Sequence, residues 1–473
     1  MMPDFNIASV VLILHIAIAV PLCLHILLTK QENAAIAWIG FVLVSPFVGA
    51  FLYWLFGINR VSRRARRYRR GRRADAPPDL TTHEMPFKGL PTSQQRQLFQ
   101  FARSVHTMPY LGGNHVVPLV NAENAYPNML AAIDEAKRTI VLSVYIFDCD
   151  EIGLKFIDAL VAAHRRGVIV RVLLDEIGSG KRTKPADKLL SAAGISTARF
   201  IPQNLKFFPL INLRNHRKIM VVDGRLGFIG GMNICLSYAA QKDEEIRDLH
   251  FRVSGPVIGQ LNAIFEEDWK FAKDEAIELP LLPTPSEKLD DPIYARAIPD
   301  GPDEASQRTQ WIMVGALAVA QKSVHVLTPY FLPNEILTNA LCVAAMRGVS
   351  VQVVVPSRTD IPLVDWAMEA KFQYLLEHGV KIYRSPPPFD HTKLMLVDAV
   401  WTLVGSSNWD QRSLRLNFEA NLECYDNALA QDLETHFDSI KKIAKAVAVS
   451  DLVQSPLQIR LRNNFARLFS PYL

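Results

Sequence analysis

The chain is poor in cysteine, and the few it has are scattered. Cys23, Cys149, Cys235, Cys342 and Cys424 are five in 473 residues, odd in number and without C-x-x-C spacing. That excludes a disulfide framework and argues against a zinc site, leaving small core residues in a reducing compartment. No cluster of His, Asp or Cys has metal-ligand spacing either. Charge is missing from residues 5–29, and a second uncharged run covers residues 34–58. Acidic residues are missing between Arg60 and Arg73, where nine arginines fall. The chain is +5 overall, and setting those nine aside leaves −4, so its bulk offers no broad basic face to a nucleic acid.

Each apolar run is long enough for a helix of about 20 residues to cross a hydrocarbon core. A cleaved signal peptide needs a basic start, a shorter apolar stretch and a small-residue cleavage site. Here Asp4 precedes a longer run, and a second run follows directly after Lys30-Gln31-Glu32-Asn33. The expectation is an uncleaved transmembrane hairpin over 1–59, with spans at 5–29 and 34–58, rather than two buried helices of a soluble core. A basic cluster beside a span is retained on the cytoplasmic side. It also attracts anionic lipid headgroups, at roughly 1 kcal/mol per residue near the surface. The N-terminus and the large body then both face the cytoplasm. His15 and His25 lie inside the first span and read as neutral packing residues rather than functional groups.

Residues 60–105 read as a basic juxtamembrane segment and linker. Beyond it the chain repeats itself. A helix from Met129 to Lys137 precedes a buried strand, Thr139 to Phe147, and Arg165-Arg166-Gly167 leads into a strand from Val168 to Leu174. The second half has a helix around Val314 to Gln321, a strand from Ser323 to Phe331, and Arg347-Gly348 before a strand from Val349 to Val355. This alternation predicts an α/β fold: two tandem α/β sandwich domains with mixed sheets, at 106–285 and 286–450. The Pro-, Leu- and Asp-rich stretch from Ile277 to Asp303 is the expected joint. Residues 451–473 form an amphipathic tail that either lies on a membrane or packs against the body.

What is present is a duplicated pattern. His216, Lys218, Asp223, Gly230 and Asn233 recur with identical gaps as His391, Lys393, Asp398, Gly405 and Asn408. A lone H-x-K is usually a surface strand; duplication with the same downstream Gly and Asn is not. Each His and Lys are two apart on a strand and share one face. Two imidazoles, two ammoniums and two amides suit an anionic phosphorus centre. One half alone lacks either a nucleophile or a proton donor. Two facing halves supply both: one neutral histidine attacks phosphorus and the other, protonated, gives a proton to the leaving oxygen. Lys218, Lys393, Asn233 and Asn408 would bind the phosphoryl oxygens. A carboxylate should orient each imidazole. Asp248, 32 residues after His216, and Glu419, 28 after His391, are the candidates. Asp223 and Asp398 belong to the motif's catalytic set, although at strand ends they close turns more readily than they do chemistry. Asp390 should point away from His391 and receives no role.

These residues resemble the phospholipase D superfamily, whose signature is this duplicated H-x-K-x4-D motif, and within it the bacterial cardiolipin synthases. The resemblance runs nearly end to end. It is carried by Ser45 to Arg60, Arg214 to Lys218, Gly230 to Asn233, Gly255 to Trp269, Thr328 to Phe331, Asp410 to Ser413 and Asn417 to Glu419. Ile246 and Asp390 depart from the usual Trp and apolar residue. The resemblance implies phosphatidyl transfer through a phosphohistidine, with no metal or cofactor. Two phosphatidylglycerol molecules would give cardiolipin and glycerol at a bacterial cytoplasmic (inner) membrane. His216 would be the nucleophile and His391 the general acid, then base, an assignment that pseudosymmetry could reverse. Hydrolysis to phosphatidic acid is the nearest alternative, nuclease activity a further one, and phosphatidylethanolamine or another alcohol an alternative acceptor.

Overall fold

The computed structural model describes residues 7–473, apart from 31, 55–92, 107, 180–184, 201–213, 240–245, 281–292, 303–306 and 472. The Arg60–Arg73 run, most of the linker and much of the joint lie outside the described residues. The chain divides into two compact units, Met1–Ala65 and Arg66–Leu473.

In the first unit Ile7–Thr29 is one helix, and its Val10–Thr29 stretch is long and apolar enough to cross a membrane. The second apolar run differs from expectation. It folds as Glu32–Val44 and Pro46–Leu52, interrupted at Ser45. Pro46 is the physical reason, since it brings no N–H to the Val42 carbonyl and its ring collides with it. The two arms pack through Ala19, Ile26, Ala35, Val42 and Tyr53, and the Tyr53 hydroxyl lies 2.9 Å from His25 Nδ1.

The second unit is built on one mixed sheet of 16 strands. The repeated segments form the expected elements with shifted ends. The first half has the helix Asn121–Glu135 and strands Thr139–Val144 and Ile169–Leu174; the second has Arg308–Val319, Ser323–Leu327 and Ser350–Pro356. Each half supplies seven strands in the same spatial order, and the two-residue strands Arg214–Asn215 and Lys445–Ala446 complete the sheet. The halves join where Leu111–Val120 pairs antiparallel with Ile293–Asp300. The repeats therefore share one continuous sheet. Strands such as Thr139–Val144 and Asn417–Tyr425 are buried at every position. Coverage of both sheet faces explains why they read as unbroken apolar runs.

Two long helices cross the seam. Ile258–Lys273 packs on first-half strands and on Ile293–Asp300; Asn427–Ile443 packs on second-half strands and on Leu111–Val120. Gln260 ties the seam further, donating to the Pro109 carbonyl at 2.7 Å and accepting the Ala297 N–H at 2.7 Å. In the tail, the helix Leu457–Arg467 packs against Pro362–Glu377, with Ala466 and Asn463 buried. Its Leu457, Leu461 and Phe465 remain exposed. The tail thus packs on the body with one face and leaves an apolar face outward.

Candidate active site

The two H-x-K patterns enter equivalent hairpins. Lys218 leads into Ile219–Val222, which pairs with Leu226–Gly230; Lys393 leads into Leu394–Val397, which pairs with Trp401–Gly405. The first turn is Asp223-Gly224, both with positive φ, the pair favoured in a two-residue hairpin. The second copy places Ala399 there at φ 54°, a strained substitute. The motif's other glycine is needed for close approach. A Cβ on Gly405 would come within 2.4 Å of the Ala420 carbonyl oxygen.

Each histidine is then held by the opposite half. The His216 N–H donates to the Phe418 carbonyl at 2.8 Å, and His216 Nδ1 meets Glu419 Oε2 at 3.0 Å. The His391 N–H donates to the Arg247 carbonyl at 2.7 Å, and His391 Nδ1 meets Asp248 Oδ2 at 2.8 Å. In both cases the residue before the orienting carboxylate receives the histidine's backbone N–H. The sequence reading placed each carboxylate in its own histidine's half; the structure crosses them. A duplicated chain can do this because its halves meet face to face.

The two pairs are chemically unequal. Glu419 is fully buried, which opposes ionisation, but contacts with His216, Lys218 and Ser406 hold its carboxyl below the usual range. The Ser406 hydroxyl donates to Glu419 Oε2 at 2.5 Å and the Asn417 amide to Oε1 at 3.1 Å. Burial lowers His216 to about 4, with Lys218 adding to the fall and Glu419 resisting it. An ionised Glu419 fixes the proton on Nδ1 and leaves Nε2 with a free lone pair. Asp248 is instead pushed up to about 8 by burial, against the Lys393 charge and with Asp390 adding to the rise. Burial, with Lys393, Lys218 and His216 nearby, keeps His391 well below its ordinary value. The two pairs thus lean in opposite directions, Glu419 toward its charged form beside His216 and Asp248 toward its neutral form beside His391. One pair can attack and the other can donate.

Both lysines are buried beside the histidines. Desolvation lowers Lys218 to about 7 and Lys393 to about 8. Lys218 Nζ donates to its own His216 carbonyl at 2.7 Å, and Lys393 Nζ likewise to the His391 carbonyl. These bonds pin the ammoniums beside the imidazoles, where an anion would draw them back to full charge. The two ammoniums repel each other across the site.

The remaining predicted residues separate. Asn233 Nδ2 donates to the Tyr238 hydroxyl at 3.2 Å and its Oδ1 accepts the Ile146 N–H at 3.1 Å. It thus reaches the site through Tyr238, whose hydroxyl lies 3.2 Å from His391 Nδ1. Asn408 is buried, and its Oδ1 has no hydrogen-bond partner among the described residues. Asp223 and Asp398 are not brought to the histidines, so their place in the catalytic set needs correction. Asp223 accepts the N–H groups of Lys137, Arg138 and Thr139 at 2.7–2.9 Å, and Asp398 those of Gln321, Lys322 and Ser323 at 2.7–2.9 Å. Each ends its strand away from the His-x-Lys and anchors the segment that enters the neighbouring antiparallel strand. Asp390 turns to the Thr392 N–H at 2.9 Å.

Sequence reasoning missed the aromatic wall. The Tyr145 ring packs edge-on to His216 at 5.0 Å between centroids, with Lys218 Nζ 5.3 Å from its centre. Tyr330 and Tyr238 meet His391 at 6.5 and 6.1 Å. Tyr145 and Tyr330 lie near the ends of the two repeated strand segments but one position out of register, so alignment of the halves did not mark them, and Tyr238 and Ser406 carried no signal either.

The sequence matches the family described as cardiolipin synthase, PLD-like domain, over residues 129–269 and 313–441. Residues 8–57 match the phospholipase D-nuclease N-terminal family. A cardiolipin synthase of Geobacillus sp. strain WCH70 is 33% identical over 457 residues, covering 94% of this chain and 90% of that protein. The major cardiolipin synthase of Bacillus subtilis strain 168 is 29% identical over 482 residues, covering 99% and 100%. The fold is similar to that of a phosphatidylserine synthase from Haemophilus influenzae, with TM-score 0.62 and 15% identity over 80% of this chain and all of that one. Two motifs in one shared sheet, matched end to end by these relatives, place the chain in the cardiolipin synthase family of phospholipase D-like enzymes.

Proposed function

We propose that the protein is a membrane-bound phosphatidyltransferase that joins two phosphatidylglycerol molecules into cardiolipin and glycerol. His216 Nε2 attacks the phosphorus of the first molecule while His391 protonates the departing glycerol oxygen, leaving a phosphatidyl-histidine. His391, now the base, takes the proton from the terminal hydroxyl of the second molecule. That oxygen attacks phosphorus, the P–N bond breaks, and His216 is restored. Lys218 and Lys393 balance the charge gathering on the phosphoryl oxygens. The observation that carries this reading is the crossed arrangement, in which each histidine meets through Nδ1 a buried carboxylate of the other half.

Membrane attachment rests on the apolar helix Val10–Thr29 and the match over residues 8–57. A hairpin kinked at Pro46, followed by nine arginines, would put the catalytic body on the cytoplasmic side of the inner membrane. The outward Leu457, Leu461 and Phe465 suit contact with the same surface. Purified protein incubated with phosphatidylglycerol labelled in its phosphatidyl part tests the reaction. Labelled cardiolipin is expected, and phosphatidic acid without cardiolipin refutes transfer in favour of hydrolysis.

A further inference from the structure

The two copies of the motif differ at the position between His and Lys, where the first carries Arg217 and the second Thr392. Alternation along an extended segment turns both side chains to the face away from the histidine and the lysine. Both residues are buried, Arg217 completely. Thr392 Oγ1 finds no hydrogen-bond partner among the described residues. Arg217 is bonded on three sides. Its Nε donates to the Glu419 carbonyl at 2.9 Å, its Nη1 to Asp268 Oδ1 at 2.5 Å and its Nη2 to the Asp300 carbonyl at 3.1 Å. The guanidinium also lies 5.5 Å from the centre of the Phe418 ring, within cation–π reach.

These partners tie the halves together. Asp268 sits on the first-half helix Ile258–Lys273, while Glu419 and Asp300 are paired on neighbouring second-half strands. A planar guanidinium fork suits one carboxylate and two carbonyls at once. The bond to Glu419 falls in a row of three that crosses from one half to the other. The His216 N–H donates to the Phe418 carbonyl, Arg217 to the Glu419 carbonyl, and His216 Nδ1 meets the Glu419 carboxylate. Residues 216 and 217 thus hold both the backbone and the side chain of Glu419. The equivalent carbonyl of Asp248 accepts instead the Asn121 N–H at 2.9 Å, a bond within one half.

We propose that Arg217 is a positioning residue for the nucleophile. It holds the Glu419 strand against His216, so that the carboxylate stays on Nδ1 and Nε2 keeps its lone pair for phosphorus. This rests on the phosphohistidine reading above. Arg217 lies on the far face from the imidazole and acts through Glu419. Misplacement of a catalytic group by about 1 Å can slow a reaction by about 100-fold.

The test uses the full chain in detergent micelles and reads the burst of phosphatidyl-enzyme. Replacing Arg217 alone would strip that cation from a buried carboxylate, so Arg217→Met is combined with Asp268→Leu. Folds commonly tolerate exchange of a buried ion pair for apolar residues of similar size, and the thermal midpoint should stay close to wild type. The burst should nevertheless slow by about 10- to 100-fold, with half-saturation by phosphatidylglycerol unchanged. Arg217→Lys, which keeps a charge beside Asp268 and a donor for the strand, should recover part of the loss. In a Glu419→Gln background the paired replacement should slow the burst no further, because the carboxylate it misplaces is already gone. Such non-additivity marks residues that act as one unit. A wild-type burst in the folded paired replacement overturns the proposal. A full further loss in the Glu419→Gln background overturns it as well, since Arg217 would then act by another route. Wild-type protein that forms no phosphatidyl-enzyme would refute the phosphohistidine reading itself, and the proposal with it.

Discussion

The crossed pairing makes an uncommon demand on Glu419. It lies 28 residues after His391 in sequence, yet its carboxylate serves His216. Glu419→Gln keeps the shape and removes the charge. Losing a charge-assisted bond to a buried imidazole costs about 1.5–3 kcal/mol, or about 10- to 150-fold in rate. A Gln amide turned toward Nδ1 would also move the ring proton to Nε2 and silence the nucleophile. Trapping the wrong tautomer at a buried carboxylate–imidazole pair can reach about 10⁴-fold. Formation of phosphatidyl-enzyme, read by rapid quench, should therefore slow by about 10²- to 10⁴-fold. Asp248→Asn should slow it too, for a different reason: the leaving glycerol loses its proton donor. A phosphatidyl ester of p-nitrophenol separates the two, because that aryloxide departs without protonation. It should restore the burst in Asp248→Asn and in His391→Ala, but not in Glu419→Gln or His216→Ala. Rescue of Glu419→Gln with no rescue of Asp248→Asn would refute the crossed assignment of roles.

Two further outcomes follow from the same geometry. With phosphatidylglycerol the first step should fall below about pH 4, where His216 takes up a proton and loses its lone pair. It should fall again from about pH 7 to 8, where Lys218 and then Lys393 discharge and the raised Asp248 releases its proton; a rate that rises through pH 8 contradicts this. Asp223→Ala should leave the phosphatidyl-enzyme burst within about tenfold of wild type while lowering stability by about 1–2 kcal/mol, since three backbone N–H groups lose a partly solvated acceptor. A lost burst at unchanged thermal midpoint would return Asp223 to the chemistry.

Much of this was legible in the chain because local rules set it. The apolar strand segments, the Asp223-Gly224 turn and the matching gaps of the two motifs are short-range features, and they predicted the strands to within a few residues, whereas the helices Asn121–Glu135 and Arg308–Val319 begin well before the expected Met129 and Val314. The His-Lys pairs were legible for the same reason, since two-residue spacing places them on one face. Which carboxylate meets which histidine was not. Asp248 and Glu419 were found by their parallel positions, but pairing depends on how the halves dock, and no local pattern encodes that. The break at Ser45 shows the opposite failure. Pro46 was visible in the second apolar run, yet length and hydropathy were weighed above it. Asp223 and Asp398 illustrate a third case, where a signature residue is invariant between the repeats because it anchors backbone amides in both.

The inequality of two nearly identical motifs has a physical origin in what surrounds each carboxylate. Glu419 receives a hydroxyl from Ser406 and an amide from Asn417, two donors that favour its charged form. Asp248 receives the Leu249 N–H at 2.7 Å but sits in the field of Asp390, which penalises a second negative charge. Burial is complete at both, and these neighbours add to the charges of His216 and Lys218 beside Glu419 and of Lys393 beside Asp248. A duplication alone would give two equivalent half-sites, each equally able to attack or to donate. The departures lie beside the motifs, and Asp390, placed one residue before the second histidine, acts on proton inventory through Asp248 without touching the imidazole. Replacing it with an apolar residue should lower the pKa of the Asp248–His391 pair and move the alkaline limb of the first step to lower pH. If the limb stays in place, the difference between the halves lies in the contacts of Glu419 with His216, Lys218 and Ser406.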